Sequence, residues 1–323
     1  MQKKLNAAII GLGNVGLLFD EDKERKAVGE IGWTHFYAYK SLSKYYNLIA
    51  VVDQDKSKFD IIKSKDKEIL FFENIDSLLS KNLPLDVISI CTPNNTHIEY
   101  AQKFFNKTKG LFIEKPIDDI SNKFDFNQFK EDIIKSNISI RVNYYKINEP
   151  AVQKAYKLID KSKLKFLSLK YSGPLDAVGS HALSVLHLFA NDIEIIKSIK
   201  YPSDERWGAT AFFSTENNYF AQLTHCNERH NLIFELELID DKYKIIIDKN
   251  FSRLKKYKYF KSERYSMNYR EIKLDEEIIY PPNTERFSTY LLEMYNEINE
   301  NVYDYNNLDL SINTQKILNK LLR

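Results

Sequence analysis

Three of the nine glycines in this 323-residue chain stand within six positions, as Gly11-Leu12-Gly13-Asn14-Val15-Gly16, directly behind the apolar run Leu5–Ile10. A strand that turns sharply into a helix through G-x-G-x-x-G builds an anion cradle. The first Gly allows the tight turn, the second lets a pyrophosphate approach the backbone, and the third lets helix and strand pack closely. The helix N-terminus adds N–H donors and a partial positive charge. Gly11, Gly13, Asn14, Val15 and Gly16 are therefore candidate dinucleotide contacts. Asp53 ends the next apolar run, 48–52, where a carboxylate accepts hydrogen bonds from both ribose hydroxyls and repels a 2′-phosphate. That position favours NAD over NADP. The acid usually stands about 20 residues beyond the glycines, yet 37 positions separate Gly16 from Asp53. The surplus falls on residues 20–33, a charged, Gly-containing segment that reads as an insertion between the phosphate turn and the rest of the first helix.

Two more groups follow strand-like runs. Cys91-Thr92-Pro93-Asn94-Asn95-Thr96-His97 comes after 86–91, and Glu114-Lys115-Pro116 after 110–113. The carboxyl ends of parallel strands are where open α/β sheets bind ligands. Thr92, Pro93, Asn95, His97, Glu114 and Lys115 are candidates for cofactor binding, although Asn95 or Thr96 also suits a helix cap and Pro93 a turn. Lys115 can hydrogen-bond a substrate hydroxyl and stabilise the alkoxide as hydride leaves. Further on, Gly179-Ser180-His181 opens a helix over 179–189. His181 then lies in the first turn, where the positive dipole end favours the neutral, proton-accepting imidazole; a packed or capping histidine is the other reading. His225, Cys226 and His230 have no fourth partner at useful spacing, so no metal is expected.

Elements must position these residues. Short apolar runs at 5–10, 48–52, 69–72, 86–91, 110–113 and 138–143 alternate with helical patterns at 34–42, 97–105 and 127–136. A helix also opens over 15–19. Such alternation predicts a parallel sheet covered on both faces. The character changes near Asn148-Glu149-Pro150. A helix over 151–160, a strand over 164–171 and the helix over 179–189 precede strand-like runs at 195–201, 209–214, 219–224, 232–239 and 243–247. This implies an α+β domain with a mainly antiparallel sheet. Helices over 284–299 and 310–322 close the chain, and residues 249–280 show no usable periodicity. The division is 1–145 for the dinucleotide domain and 146–323 for the second domain, with the last helix able to pack back on the first.

Charge is nearly balanced, with 47 basic and 45 acidic side chains interspersed, so nothing asks for nucleic acid or an anionic membrane. Cys91 and Cys226, far apart, read as buried thiols in a reducing cytosol. Lys3 and Lys4 ahead of an apolar stretch imitate a secretory signal, but Asn6, Asn14 and the glycines interrupt it and acidic residues follow it. A cytoplasmic location is expected.

Taken together, GLGNVG, CTPNNTH, EKP and GSH-x5-H resemble the glucose–fructose oxidoreductase, inositol dehydrogenase and rhizopine-catabolism (Gfo/Idh/MocA) family. THFYAYKSLSKYYNLIAVVD, NYYKINEPAVQKAYKLI and YSGPLDAVGSHALSVLHLF extend the likeness through nearly the whole chain. The resemblance implies a Rossmann domain followed by an α/β domain whose large open sheet forms a homodimer or homotetramer. It implies Lys115 as the substrate-orienting lysine before a cis proline, and His181 as the histidine that exchanges a proton with the substrate hydroxyl. Asn143 and Tyr145 fall in a segment that lines the family's substrate cleft, and Tyr144, Tyr171 and His187 are plausible neighbours. Many members place an acid four residues before this histidine and another three after it; here these are Ala177 and Ser184. Asp176 stands next door and is a candidate to take over at the substrate, although a one-residue shift should turn its side chain elsewhere. The activity implied is NAD(H)-dependent interconversion of a secondary alcohol and a ketone on a polyol, sugar or nucleotide-linked sugar. The alternatives are a catalytically silent dinucleotide sensor, supported by the missing acids, and hydride transfer to an imine or polyaromatic substrate.

Overall fold

The computed structural model describes residues 3–27, 31–119, 124–190, 192–203, 206–228, 230–264 and 269–323. They form two compact units, Met1–Asn143 with Thr284–Ile312, and Tyr144–Asn283 with Asn313–Arg323. The first unit runs β1 (Leu5–Ile10), α1 (Lys23–Ala27), α2 (His35–Ser41), β2 (Tyr46–Val52), α3 (Ser57–Lys65), β3 (Leu70–Phe72), α4 (Ile75–Ser80), β4 (Val87–Ile90), α5 (His97–Lys103), β5 (Gly110–Ile113), α6 (Phe126–Lys135) and β6 (Ser139–Val142). Its sheet is parallel in the order β3-β2-β1-β4-β5-β6. The central strands β4 and β5 are buried along their whole length, as expected of a sheet covered on both faces.

The helix expected over 15–19 does not form as a regular α-helix. Leu17 N–H bonds to Gly13 O, while Leu18 and Phe19 N–H reach back five residues to Gly13 and Asn14, and a short 3-10 turn follows at Leu18–Asp20. The helix then resumes after the insertion. His35 N–H donates to Val15 O at 3.0 Å and Phe36 N–H to Gly16 O at 3.1 Å. Those are i→i−4 bonds in which His35 takes the place of residue 19, so 16 residues are looped out and the 37-position interval from Gly16 to Asp53 shrinks to 21. The spacing anomaly thus has a structural cause. Asp20 closes the neck of the excursion: its carboxylate accepts from Trp33 N–H at 3.1 Å and Thr34 Oγ1 at 2.6 Å. Thr34 in turn caps α2 through Tyr37 N–H. Residues 28–30 of this segment lie outside the described residues.

The second unit holds α7 (Pro150–Leu158), β7 (Phe166–Ser172), α8 (Ser180–Phe189) and β8 (Ile193–Ser203), β9 (Arg206–Thr215), β10 (Phe220–Cys226), β11 (Phe234–Ile239), β12 (Tyr243–Asp248), β13 (Arg253–Lys261) and β14 (Arg270–Ile279). Its sheet order is β14-β13-β12-β11-β7-β10-β9-β8, with β7 and β10 parallel and the other neighbours antiparallel. The segment without periodicity is the β13–β14 hairpin. Little of it is buried on either face, and Lys256, Lys258 and Arg253 pair across it with Asp275, Glu276 and Glu277. Charges on both faces erase the alternation that marks a half-buried strand.

Helix α9 (Arg286–Glu300) belongs to the first unit, and α10 (Asn306–Leu322) begins in it. α9 buries Phe287, Tyr290, Leu291, Met294 and Tyr295 in one core with Leu5, Val87 and Phe112. Each such side chain stabilises by ~1.5–3 kcal/mol. Both cysteines are free thiols, and no helix among the described residues is long and apolar enough to cross a membrane.

Candidate functional site

The glycine turn is shaped by close approach. Gly11 has φ +91°, and a Cβ there would lie 2.7 Å from Cys91 O; at Gly16 it would lie 2.1 Å from Gly11 O. Neither position takes a side chain. A Cβ on Gly13 would meet nothing within 4 Å, so this is the point where backbone faces open space. Gly11 and Gly13 line a cavity of about 460 Å³ together with Asp53, Thr92, Pro93 and Thr96. A bare backbone at the mouth of a cavity, with a carboxylate at the end of β2, fits the pyrophosphate and ribose of a dinucleotide.

Asp53 also ties two loops together. Its Oδ2 accepts from Leu12 N–H at 2.6 Å and from Lys58 Nζ at 2.9 Å, and its Oδ1 from Asp55 N–H at 2.9 Å. Lys58 was not foreseen; a lysine in the first turn of a surface helix carries no signal in the sequence. Thr92 Oγ1 lies 2.7 Å from Thr96 Oγ1, whose hydroxyl donates to Pro93 O, so these two residues brace the loop that lines the cavity. Asn95 sits in the adjoining 3-10 turn Asn94–Thr96.

His97 is buried. Its Nδ1 lies 2.9 Å from Pro116 O and its Nε2 2.8 Å from Thr92 O. Burial holds its pKa below the usual histidine value, against the pull of the two carbonyls and of Glu114 and Asp118. It clamps the Thr92 loop to the Lys115–Pro116 turn and does not line the cavity. The peptide bond between Lys115 and Pro116 is cis.

Glu114 is enclosed as well. Asn143 Nδ2 donates to its Oε1 at 2.5 Å, and His35 Nε2 lies 2.9 Å from the same oxygen. Burial raises its pKa, but His35, Asn143 and the charge of Lys115 outweigh that and hold it below the usual glutamate range. Asn143 Oδ1 is buried with no hydrogen-bond partner among the described residues. An orphaned acceptor of this kind is where a ligand donor would be satisfied.

In the second unit, Gly173 (φ +93°) and Pro174 turn the chain from β7 into a π-helical turn at Leu175–Gly179, with Val178 and Gly179 N–H bonding to Pro174 O. α8 continues it without a break. His181 is the second residue of α8, and the π turn ahead of it extends the helical stretch toward Pro174. The ring packs among aromatic neighbours. It is buried, with Tyr145 edge-on at 4.6 Å and Tyr144 at 5.9 Å. A Cβ on Gly179 would lie 2.6 Å from Leu175 Cδ1 and 2.8 Å from Tyr171 Cε2, so the wide turn packs tightly. An i→i+5 turn contains one residue more than an α turn. Asp176, five positions before His181, lies in this turn, and its Oδ1 accepts from the Ala177 N–H at 2.9 Å. Ser184 donates to His181 O at 2.7 Å.

Tyr171 is a sheet residue: its hydroxyl donates to Ala209 O and accepts from Ala209 N–H. Tyr144 and His187 are buried too. Among the described residues no group of three or more His, Cys, Asp or Glu is placed to hold a metal ion.

Residues 27–128 match the sequence model of the Gfo/Idh/MocA oxidoreductase family, described as an NAD-binding Rossmann fold. The fold is Gfo/Idh/MocA-like. A dehydrogenase from Chromobacterium violaceum superposes with a TM-score of 0.76 at 14% identity, covering 99% of this chain and 95% of that one. The UDP-N-acetylglucosamine 3-dehydrogenase GnnA from Acidithiobacillus ferrooxidans superposes with a TM-score of 0.71 at 14% identity over 99% of this chain and 97% of its own. By sequence, oxidoreductase P35 from Formosa agariphila is 26% identical over 160 residues, 50% of this chain and 44% of the relative. The chain thus spans less than half the length of that curated relative. The Gfo/Idh/MocA match begins downstream of the glycine turn, inside the excursion that splits the first helix.

Proposed function

We propose that this protein is an NAD(H)-dependent oxidoreductase interconverting a secondary alcohol and a ketone on a polyol, sugar or nucleotide-linked sugar. The observation that carries the reading is the open backbone of Gly13 at a cavity that also holds Asp53. Gly11, Gly13, Asn14, Val15 and Gly16 hold the pyrophosphate, Asp53 the ribose, and the Thr92–Pro93 loop the remainder of the dinucleotide. When bound, the nicotinamide supplies the hydride acceptor or donor. Lys115 holds the substrate oxygen and stabilises its developing charge. His181 takes the hydroxyl proton during oxidation and returns it during reduction. Asp176 orients His181 from the wide turn, and Asn143 and Tyr145 bind substrate. GnnA, a fold neighbour, acts on a nucleotide sugar, which supports including that class among the substrates to test.

The outer face of the second sheet presents Ile199, Phe212 and Phe220, 47%, 42% and 67% exposed. These share one face through the pairings of β8, β9 and β10, and through them copies of the chain associate as a dimer or tetramer.

The test is incubation with NAD and a panel of inositols, sugars and nucleotide sugars, followed by NADH absorbance. Denaturing the purified protein first shows whether cofactor is retained. Binding of NAD without turnover of any panel member would favour the sensor reading.

A further inference from the structure

The ribose end of the cavity is not the simple NAD-selective carboxylate that Asp53 alone would make. A carboxylate offers about four lone-pair sites. Three of Asp53's already accept: Leu12 N–H and Lys58 Nζ on Oδ2, Asp55 N–H on Oδ1. A ribose diol that chelates this carboxylate needs two. The Leu12 and Asp55 amides are fixed by the chain, so the group that can move is the lysine on its four-carbon stem.

The charge at this point is also compensated. Lys58 and Asp53 side chains are 14% and 12% exposed, so solvent screens their pairing only partly. The other carboxylate near Lys58 is Asp55, at 4.0 Å, and it is engaged by the Ser57 N–H and hydroxyl. Elsewhere on the cavity wall Lys103 stands 3.8 Å from Asp76, and Glu73 is paired with Lys56 at 2.8 Å. Lys103 also stands 3.7 Å from Glu99, so Lys58 and Lys103 each face two carboxylates, and the counter-charge beside the ribose carboxylate is Lys58.

Resting on the reading of the glycine turn as a dinucleotide site, we propose that Lys58 is a specificity-determining residue that lets this cavity accept the 2′-phosphate of NADP(H) alongside NAD(H). Moving the ammonium a short way from Asp53 Oδ2 onto the phosphate does two things. It supplies the counter-charge, and it frees an Asp53 lone pair for the ribose 3′-hydroxyl. The preference for NAD set by Asp53 is correspondingly shallow.

The experiment is equilibrium titration of the whole protein with NADH and with NADPH, followed by nucleotide fluorescence, in wild type, Lys58→Met and Lys58→Arg. A hydrogen bond to a charged group is worth enough to change affinity by about tenfold or more. The expected result is NADPH binding within about tenfold of NADH in wild type, weakened by at least about tenfold in Lys58→Met and restored in Lys58→Arg. NADH affinity in Lys58→Met should be equal or higher, since Asp53 is released. Wild type that binds NADH but discriminates against NADPH by about a hundredfold or more would overturn the role of Lys58 while leaving the dinucleotide site intact. Equal weakening of both nucleotides in a folded Lys58→Met would do the same. Failure to bind either nucleotide would remove the dinucleotide site itself, and this assignment with it.

Discussion

His35 Nε2 lies 2.9 Å from Glu114 Oε1, with both residues buried, so the helix that resumes after the excursion reaches the residue next to Lys115. The chain of polar groups continues on its other side: His35 Nδ1 lies 3.0 Å from Ser89 Oγ, which lies 2.9 Å from Tyr39 OH. Phe112 and Phe287 flank the imidazole. Three elements, α2, β4 and the end of β5, are thus locked beneath the lysine loop.

Removing His35 leaves a buried Glu114 whose Oε1 accepts from Asn143 Nδ2. His35→Leu should destabilise by about 3 kcal/mol, the range for breaking a buried ionic or hydrogen-bonded pair. His35→Gln, which still donates, should lose less. Urea denaturation measures both, and equal midpoints for His35→Leu and wild type would contradict the account.

Lys115→Ala and His181→Ala should each lower kcat by about 10²–10⁴-fold on whatever substrate the panel identifies, the usual size of a positioned acid–base contribution. NADH affinity should change little for His181→Ala. Undiminished turnover in Lys115→Ala would remove the proposed mechanism.

The wide turn before α8 makes a sharper prediction. Asp176→Asn should lower kcat and displace the acidic limb of its pH profile, because the group proposed to orient His181 has lost its charge. Adding Ala177→Asp to that variant should not restore the profile, since the proposed role belongs to position 176 of the π turn. Recovery by the double variant would show that the turn behaves as ordinary α-helix. Gly179→Ala should cost about 1–3 kcal/mol by overpacking against Leu175 and Tyr171.

Acidification should weaken the fold before any carboxylate titrates. The folded-state pKa of His97 is depressed by burial. As pH falls below 6.5, the unfolded chain takes up a proton that the folded chain resists, so stability present at pH 7 is lost toward pH 5. His225, also depressed by burial, adds in the same direction. Melting curves from pH 7 to 5 should show the decline, and His97→Gln should flatten it.

Much of the first sheet was readable because its strands are largely buried apolar runs, as at Val87–Ile90 and Gly110–Ile113. The glycine turn was readable because steric demand at Gly11 and Gly16 leaves a residue-type signature. Less visible was anything that depends on side chains meeting across the fold. Lys58 and His35 look like ordinary helix residues, and His97 looked like a ligand because its place at a strand end was legible while its burial was not. The π turn was hidden for another reason: nothing in Leu175–Gly179 distinguishes an i→i+5 from an i→i+4 ladder until packing around Gly179 is known.

The splice between Val15–Gly16 and His35–Phe36 has a dynamic corollary. Cooperativity across it passes through hydrogen bonds and not through covalent chain, so the phosphate turn can open without unwinding α2. The His35 and Phe36 amides are built-in reporters of that opening. Their deuterium exchange should slow when a dinucleotide settles on the turn, while amides in the middle of β4 should hardly respond.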